Sequence, residues 1–501
     1  MNNVNDPFDV FVVGGGINGC GIARDAAGRG YSVFLSEKDD LANGTSSRST
    51  KLIHGGLRYL EFYEFMLVRK ALKEREILWK MAPHIIKPLR FILPHHKGLR
   101  PAWFLRLGLF LYDHLGGRKL LPPTKDIDLK SDEVGVPLQP MFTKAFEYSD
   151  CWVDDARLVV LNAMDARDHG AVVKTRTKVI KTEQIDGLWH VHIENSETDT
   201  QEIIHARILI NATGPWVDQF LKESGGQSDA QNVRLVLGSH IIVKKMYDHD
   251  RCYIFQNADG RIIFAIPYEN DFTMIGTTDL DFEGDPDNAE ITKDEIEYLC
   301  KSASEYFTKT ITPDHVIWQF SGVRPLYDDD ASKAQEATRD YILRVDRQST
   351  GCGLINIFGG KITTYRRLSE AVLEKVEALL GPNKQAWTKD SHLPGGDFPT
   401  GTTDKLAADL KQKFPFLERS HSIRLATLYG NLANDSLKNA KTLDDLGHCF
   451  GANLYAAEVD YLMAQEFAIT AEDILYRRTK LGLLLNEGQK DILNTYMRQK
   501  H

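Results

Sequence analysis

The chain has 501 residues, 42% of them hydrophobic and 26% charged, which excludes an extensively disordered protein or a multi-span membrane protein and leads us to expect two bodies. Its formal charge of -9 excludes non-specific nucleic-acid binding, which draws on a basic surface, so an anionic ligand must meet cations gathered locally. The six cysteines show no Cys-x-x-Cys or zinc-type spacing, so neither a disulfide framework nor a metal site is expected, and a reducing cytosol fits best.

The opening MNNVNDPFDVFVV lacks a basic region followed by a long apolar run, so no export signal is expected. It leads into a βαβ start, with a buried strand Val10 to Val13, a glycine turn, a helix from about Ile17 to Arg29 and a strand Ser32 to Ser36. The polar loop KDDLANGTSSRSTKLIHGG suggests ligand contact, and YLEFYEFMLVRKALKEREILWKMAP has helical apolar spacing that stops before Pro83. From about Lys174 to His205 the pattern is strand-like, and ARILINATGP is a buried strand entering a glycine turn. Residues from about Leu235 to Thr278 again favour strands and suggest a β-rich substrate cap. LINIFGGKITTYRRLSEAVLEKVEALLGP gives strand, turn and helix, HLPGGDFPTGT marks a linker, and the remainder is expected to be helical, with Thr470 and Asp473 capping AEDILYRRTKLGLLL.

Gly14, Gly16 and Gly19 form a G-x-G-x-x-G between strand and helix, and Glu37 closes the next strand about 18 residues on. The first glycine permits the turn, the second lets backbone approach a pyrophosphate, and the third allows close packing while the helix N-terminus faces the phosphates. Glu37 is placed to accept ribose hydroxyls. The motif alone does not choose FAD over NAD. Two distant glycine turns, Ile208 to Gly214 and Phe358 to Thr364, favour FAD, because an extended FAD needs contacts from a late strand-helix junction.

VVGGGINGCGIARDAAGRG, SSRSTKLIHGGLRYLE, YSDCWVDDARLV, NATGPWVD, SGVRPL and FGGKITTYR together resemble the FAD-dependent glycerol-3-phosphate dehydrogenases of bacterial respiration, over nearly the whole chain. The resemblance implies an α/β fold, with a Rossmann-like FAD domain of the glycine-oxidase type, an antiparallel-sheet substrate domain and a C-terminal helical domain. Residues 1–390 are expected to form the FAD domain, with substrate segments inserted at about 75–150 and 235–345, and 391–501 the helical domain. The implied reaction takes hydride from C2 of sn-glycerol 3-phosphate to flavin N5, giving dihydroxyacetone phosphate, and passes the electrons to ubiquinone or menaquinone at the inner face of the cytoplasmic membrane. A homodimer is implied as well. The implied FAD contacts are Gly14, Gly16, Asn18, Gly19, Glu37, Ser46, Ser47, Lys51, His54, Gly55, Gly56, Val173, Gly214, Trp216, Gly322, Gly360, Lys361 and Thr363.

A phosphate monoester calls for arginine, whose planar fork bonds two oxygens at once, and Arg58, Arg324 and Arg339 match family active-site positions. Tyr59 can add a hydroxyl donor. Lys361, at a helix start after two glycines, can set a positive field at the flavin N1 and C2 carbonyl end. His240 is the preferred proton acceptor, with an arginine or a water as alternatives. His84, His95 and His96 lack carboxylate or cysteine partners at ligand spacing, so no metal is expected there.

Between Lys97 and Leu121 an apolar stretch with Trp103, Phe104 and Phe110 is flanked by Arg100 and Arg106. Its uninterrupted apolar run is shorter than the roughly 20 residues of a membrane-spanning helix, and the stretch suits an in-plane anchor, the alternative being a core helix with snorkelling arginines. Two competing functions stay open at this level: an FAD-dependent amino-acid oxidase or dehydrogenase, and a non-catalytic flavin-binding protein at the membrane.

Overall fold

The computed structural model describes residues 6–96, 98–223, 229–328, 340–347 and 352–500. Its first sheet runs in the order Ile342–Arg347, Gly353–Phe358, Thr200–Asn211, Phe8–Val13, Val33–Ser36 and Val172–Lys174. All these pairings are parallel except the first. Val10 and Val12 of the opening strand enter one core and Phe11 and Val13 the other, so both faces are covered and the run is apolar throughout instead of alternating. The helix Ile17–Arg29 ends where Gly30 takes φ +94, with the Tyr31 amide donating to the Ala26 carbonyl and the Gly30 amide to that of Ala27. That stop returns the chain to the second strand.

The second sheet has ten strands drawn from two stretches of chain, 52–153 and 233–327, and is antiparallel apart from one pairing of Cys252–Gln256 with Ile86–His95. The helix Lys293–Tyr306, opened by a reciprocal cap between Thr292 and Glu295, contributes Leu299 and Ala303 to the core on one face. Phe65–Met81 and Ala102–Leu115 contribute Val68, Leu72, Leu109 and Tyr112 to the core on the other. The first of these two helices begins at Phe65, not at Tyr59 as its spacing suggests. Gly56 and Tyr63 both take positive φ, at +76 and +60, and wind residues 57–62 into a tighter turn between them.

Residues 403–498 build a separate hydrophobic cluster from the helices Thr403–Lys413, Arg419–Tyr429, Ala456–Gln465 and Glu487–Arg498. A two-strand hairpin, Cys449–Gly451 with Leu454–Tyr455, interrupts the helical pattern expected there. The Asp473 amide donates to Thr470 Oγ1 at 3.3 Å and the Thr470 amide to Asp473 Oδ2 at 3.0 Å. The helix this cap opens does not run on through Leu485. It stops at Arg478, and Lys480 takes φ +57. Arg477, Arg478 and Lys480 all bond carboxylates of the N-terminal body, whereas a continuous helix would spread them about 100° per residue around its axis.

Candidate active site

A cleft of about 400 Å³ opens at the carboxyl ends of the first sheet's parallel strands, where ligands of open α/β sheets bind. Gly14, Gly16 and Asn18 line it at the head of the first helix. Gly14 has φ +108, and a Cβ there would lie 2.7 Å from the Ala212 carbonyl oxygen. At Gly19 a Cβ would lie 1.9 Å from the Gly14 oxygen, so this glycine stays outside the cleft and lets helix and turn touch. Ser46 Oγ accepts from the Ile17 amide at 3.0 Å and binds the polar loop to the helix start.

Glu37 accepts from the Gly15 amide at 2.5 Å and the Asp39 amide at 2.8 Å while lining the cleft. Burial raises its pKa to about 7 against the opposing pull of those amides. Among the described residues, Asn18 Oδ1, Trp216 Nε1 and His240 Nδ1 are buried side-chain atoms with no hydrogen-bond partner, and all three residues line the cleft. A glycine turn with no room for side chains, an acidic residue at the end of the second strand and unsatisfied polar atoms fit an extended dinucleotide.

His54, Tyr59, His240, Arg324 and Lys361 come together in the same cleft, along with Gly214, Gly322, Gly360 and Thr363. The Lys361 ammonium sits 3.8 Å above the centre of the Tyr59 ring. Gly56 makes room for that ring, since a Cβ there would fall 2.1 Å from it. The His54 amide donates to Thr363 Oγ1 at 3.2 Å, and burial, with Lys361 and Arg75 nearby, lowers the His54 pKa to about 4. Arg324 donates to the Thr278 carbonyl at 3.2 Å and pairs with Asp279. His240 bonds Thr50 Oγ1 at 3.0 Å and stacks on Phe320. Burial, then Lys51 and Arg324, lower its pKa to about 3, so the ring is neutral at pH 7.

Other residues singled out in the sequence lie elsewhere. Arg58 is not among the cleft-lining residues and its guanidinium lies 5.9 Å from the Phe62 ring centre. Lys51 is buried beneath the loop, where its ammonium donates to both Asp155 oxygens, at 2.9 and 3.0 Å, and to the Ser47 carbonyl. Ser47, Gly55 and Val173 flank the cleft without lining it, and Arg339 lies outside the described residues. The Gly55 amide donates to the Tyr112 hydroxyl at 2.8 Å, Tyr112 donates to Asp150 at 2.8 Å, and Arg75 donates to Asp150 at 2.5 Å.

Sequence reasoning missed Arg48, a cleft residue that donates to the Ser321 carbonyl at 3.2 Å and whose pKa burial and Arg477 lower. It also missed the support role of Asp155, although CWVDDARL was the signal. Asp154, before it, caps the helix Asp155–Asp168, and Asp155 accepts from Ser49 Oγ at 2.8 Å as well as from Lys51.

The helix Ala102–Leu115 buries Leu109, Tyr112 and Asp113 but leaves Trp103 70%, Phe104 39%, Leu107 49% and Phe110 53% exposed. Phe62, Tyr63, Phe65 and Met66 are also exposed, and Arg100, 3.7 Å from Glu61, links the two stretches. Among the described residues no helix is long and apolar enough to cross a membrane.

The family model of FAD dependent oxidoreductases matches residues 9–366, and that of the C-terminal domain of alpha-glycerophosphate oxidase matches 386–498. A glycerol-3-phosphate dehydrogenase of Pseudomonas aeruginosa is 49% identical, over 99% of this chain and 96% of its own. A D-erythritol 1-phosphate dehydrogenase of Brucella abortus is also 49% identical, over 96% of each. The glycerol-3-phosphate dehydrogenase of Bacillus halodurans, solved complexed with FAD, superposes with a TM-score of 0.76 at 26% identity, covering 99% of this chain and 94% of that one. Glycine oxidase from Geobacillus kaustophilus shares the fold, with a TM-score of 0.57 at 18% identity over 76% of this chain and 96% of its own. With the glycine turn, the acidic strand end and the cleft that joins them, these matches establish that the chain belongs to the FAD-dependent glycerol-3-phosphate dehydrogenase family of oxidoreductases and that FAD is its cofactor.

Proposed function

We propose that this enzyme oxidises sn-glycerol 3-phosphate to dihydroxyacetone phosphate and delivers the electrons to a membrane quinone. The observation that carries the reading is the gathering of Arg48, Arg324 and Lys361 in the cleft of a chain whose net charge is -9. Cations concentrated there serve a small anion better than they serve an amino acid, whose single carboxylate needs one arginine. Bound FAD supplies the hydride acceptor for substrate C2. Gly14, Gly16, Asn18, Glu37 and Trp216 would hold it, with Lys361 facing its flavin end. Arg324, braced by Asp279 and the Thr278 carbonyl, would hold the phosphate. His240 presents an unprotonated ring for the C2 hydroxyl proton, and a phosphate dianion beside Arg324 would raise its basicity by offsetting that part of the charge that now lowers it.

Oxidation of D-erythritol 1-phosphate is a second reading, favoured by a relative of equal identity. Both substrates are polyol phosphates, so the decisive experiment is anaerobic titration of the yellow enzyme with each, with glycerol and a D-amino acid as controls. Bleaching at lower concentration by glycerol 3-phosphate supports the first reading, and the reverse order supports the second. Bleaching by the amino acid alone defeats both, and no bleaching by any of them points to a binding protein.

Arg324→Ala is expected to raise KM by about 10- to 100-fold, the loss of one or two charge-assisted hydrogen bonds, with FAD retained. Steady-state kinetics on the flavin-loaded variant decide this, and an unchanged KM removes Arg324 from the phosphate site.

The exposed aromatics of residues 102–115, flanked by Arg100 and Arg106, support peripheral attachment to the inner face of the cytoplasmic membrane, where a lipid-soluble quinone would be met. Trp103→Ser with Phe104→Ser should lower partition onto anionic liposomes by about 100-fold or more, from the apolar area no longer buried, while dye-linked activity persists. Undiminished flotation with liposomes would rule out this surface. The reading includes a homodimer, which light scattering would register as twice the 56.7 kDa chain mass.

A further inference from the structure

The C-terminal body meets the cofactor loop through buried charge. Residues 37–51 supply Glu37, Ala42, Asn43, Ser46 and Arg48 to the cleft wall. Apart from Leu41 and Ala42 this loop has no apolar side chain to pack, so polar contacts must fix its course. Asp40 is fully buried among them. Its oxygens accept from Arg478 Nη1 at 2.8 Å, Arg478 Nη2 at 2.7 Å and Arg477 Nε at 2.5 Å.

Both arginines are themselves fixed. The Glu466 carbonyl accepts from Arg478 Nε at 3.0 Å and Nη2 at 2.8 Å, and Asp473 accepts from Arg477 Nη2 at 2.6 Å. Asp473 also accepts from Arg176 Nη2 at 2.8 Å, and the Arg176 amide donates to the Asp39 carbonyl at 2.9 Å. The far end of the loop is reached through Lys480, which bonds Asp154, and the neighbouring Asp155 takes Ser49 and Lys51. A buried pair of this kind adds little net stability over apolar packing, yet breaking one partner strands a charge, so it penalises every other loop geometry.

We propose that Arg477, Arg478 and Lys480 form a cofactor clamp, positioning loop 37–51 for FAD so that flavin affinity and docking of the C-terminal segment 473–480 are thermodynamically linked. None of the three lines the cleft, so they act as positioning residues. By reciprocity, whatever the docked segment contributes to FAD binding, FAD returns to its docking. The inference needs FAD as cofactor and holds whichever polyol phosphate is the substrate.

The test compares wild type, Arg478→Gln, Asp40→Asn and the double variant, reading FAD dissociation by flavin fluorescence on dilution of the holoenzyme. Each single change is expected to raise the FAD Kd by about tenfold or more, and the double variant should weaken binding by less than the product of the two single effects, because both changes break the Arg478–Asp40 contact. Hydrogen exchange on the wild type gives the second readout. Amides of 473–484 should exchange more slowly with FAD bound than in the FAD-stripped chain, which a merely structural tie would not produce. Folded variants with a Kd within about twofold of wild type overturn the clamp. Equal exchange with and without FAD overturns it too, and decides the matter alone should Arg478→Gln fail to fold.

Discussion

Gly19→Ala is expected to purify without flavin. The added methyl group would stand 1.9 Å from the Gly14 oxygen, about 1.5 Å short of the 3.4 Å at which ordinary contact begins. Neither partner can yield cheaply. One is backbone of the turn that must cradle a pyrophosphate, and the other lies in a helix packed into the first sheet's core. Displacing the turn costs the close approach on which phosphate binding rests, and we expect FAD affinity to fall by about 100-fold or more, equivalent to about 2.7 kcal/mol. Gly108 is the control. It lies in the helix Ala102–Leu115 with nothing within 4 Å of the place a methyl carbon would take, so Gly108→Ala should keep FAD and gain about 1 kcal/mol of helix stability. The ratio of flavin absorbance to protein absorbance in the two purified variants checks both. A fully yellow Gly19→Ala protein would contradict the role given to the third glycine.

Acidification from pH 6.5 to about pH 4 should destabilise the protein steeply. His84, His240 and His421 are buried and His54 is partly buried. Burial holds their pKa values down, to about 3 for His84 and His240 and about 4 for His54 and His421, with Arg157, Lys51 and Arg424 adding to it at His84, His240 and His421 in turn. Unfolded, each binds a proton near pH 6.5. Between that value and the folded one the unfolded chain holds more protons, so stability is complete above pH 6.5 and is lost as pH falls, by about 1.4 kcal/mol per pH unit for each histidine. The carboxylates act in a lower window. Burial works against the charged forms of Glu147 and Asp473, but their arginine partners outweigh it and hold both at about 2, so their contribution persists until pH drops below the ordinary carboxylate range. Urea unfolding at pH 7.5, 6 and 5 checks the sign, and a flat profile across those values would mean that the buried imidazoles accept protons without cost.

The parts of the fold visible in the sequence are those set by local chemistry. The βαβ start follows from apolar runs and glycines a few residues apart, and the strand-turn-helix at residues 353–380 follows in the same way. What stayed hidden depends on partners far along the chain. Nothing near Lys51 announces that Asp155 will take its ammonium, and nothing near Arg477 and Arg478 points to Asp40, 437 residues or more away. For the same reason YRRTK reads as the polar side of a helix, whereas those cations end the helix by reaching elsewhere. Arg58 shows a related limit. Its neighbours Gly56 and Tyr59 both shape the cleft, yet the tight turn of residues 57–62, set between the positive-φ residues Gly56 and Tyr63, places the arginine beside Phe62. Arg48 was overlooked because a lone arginine among serines and threonines has no pattern of its own.

Tyr112 belongs to two structures at once. Its helix carries Trp103, Phe104, Leu107 and Phe110 outward, while its hydroxyl accepts a hydrogen bond from the Gly55 amide and donates one to Asp150 inside the protein. Excising residues 97–121 to remove the exposed aromatics would therefore also remove an internal fastener of the turn that carries His54 and Tyr59. The outer face of the helix has to be changed one side chain at a time, leaving Leu109, Tyr112 and Asp113 as they are.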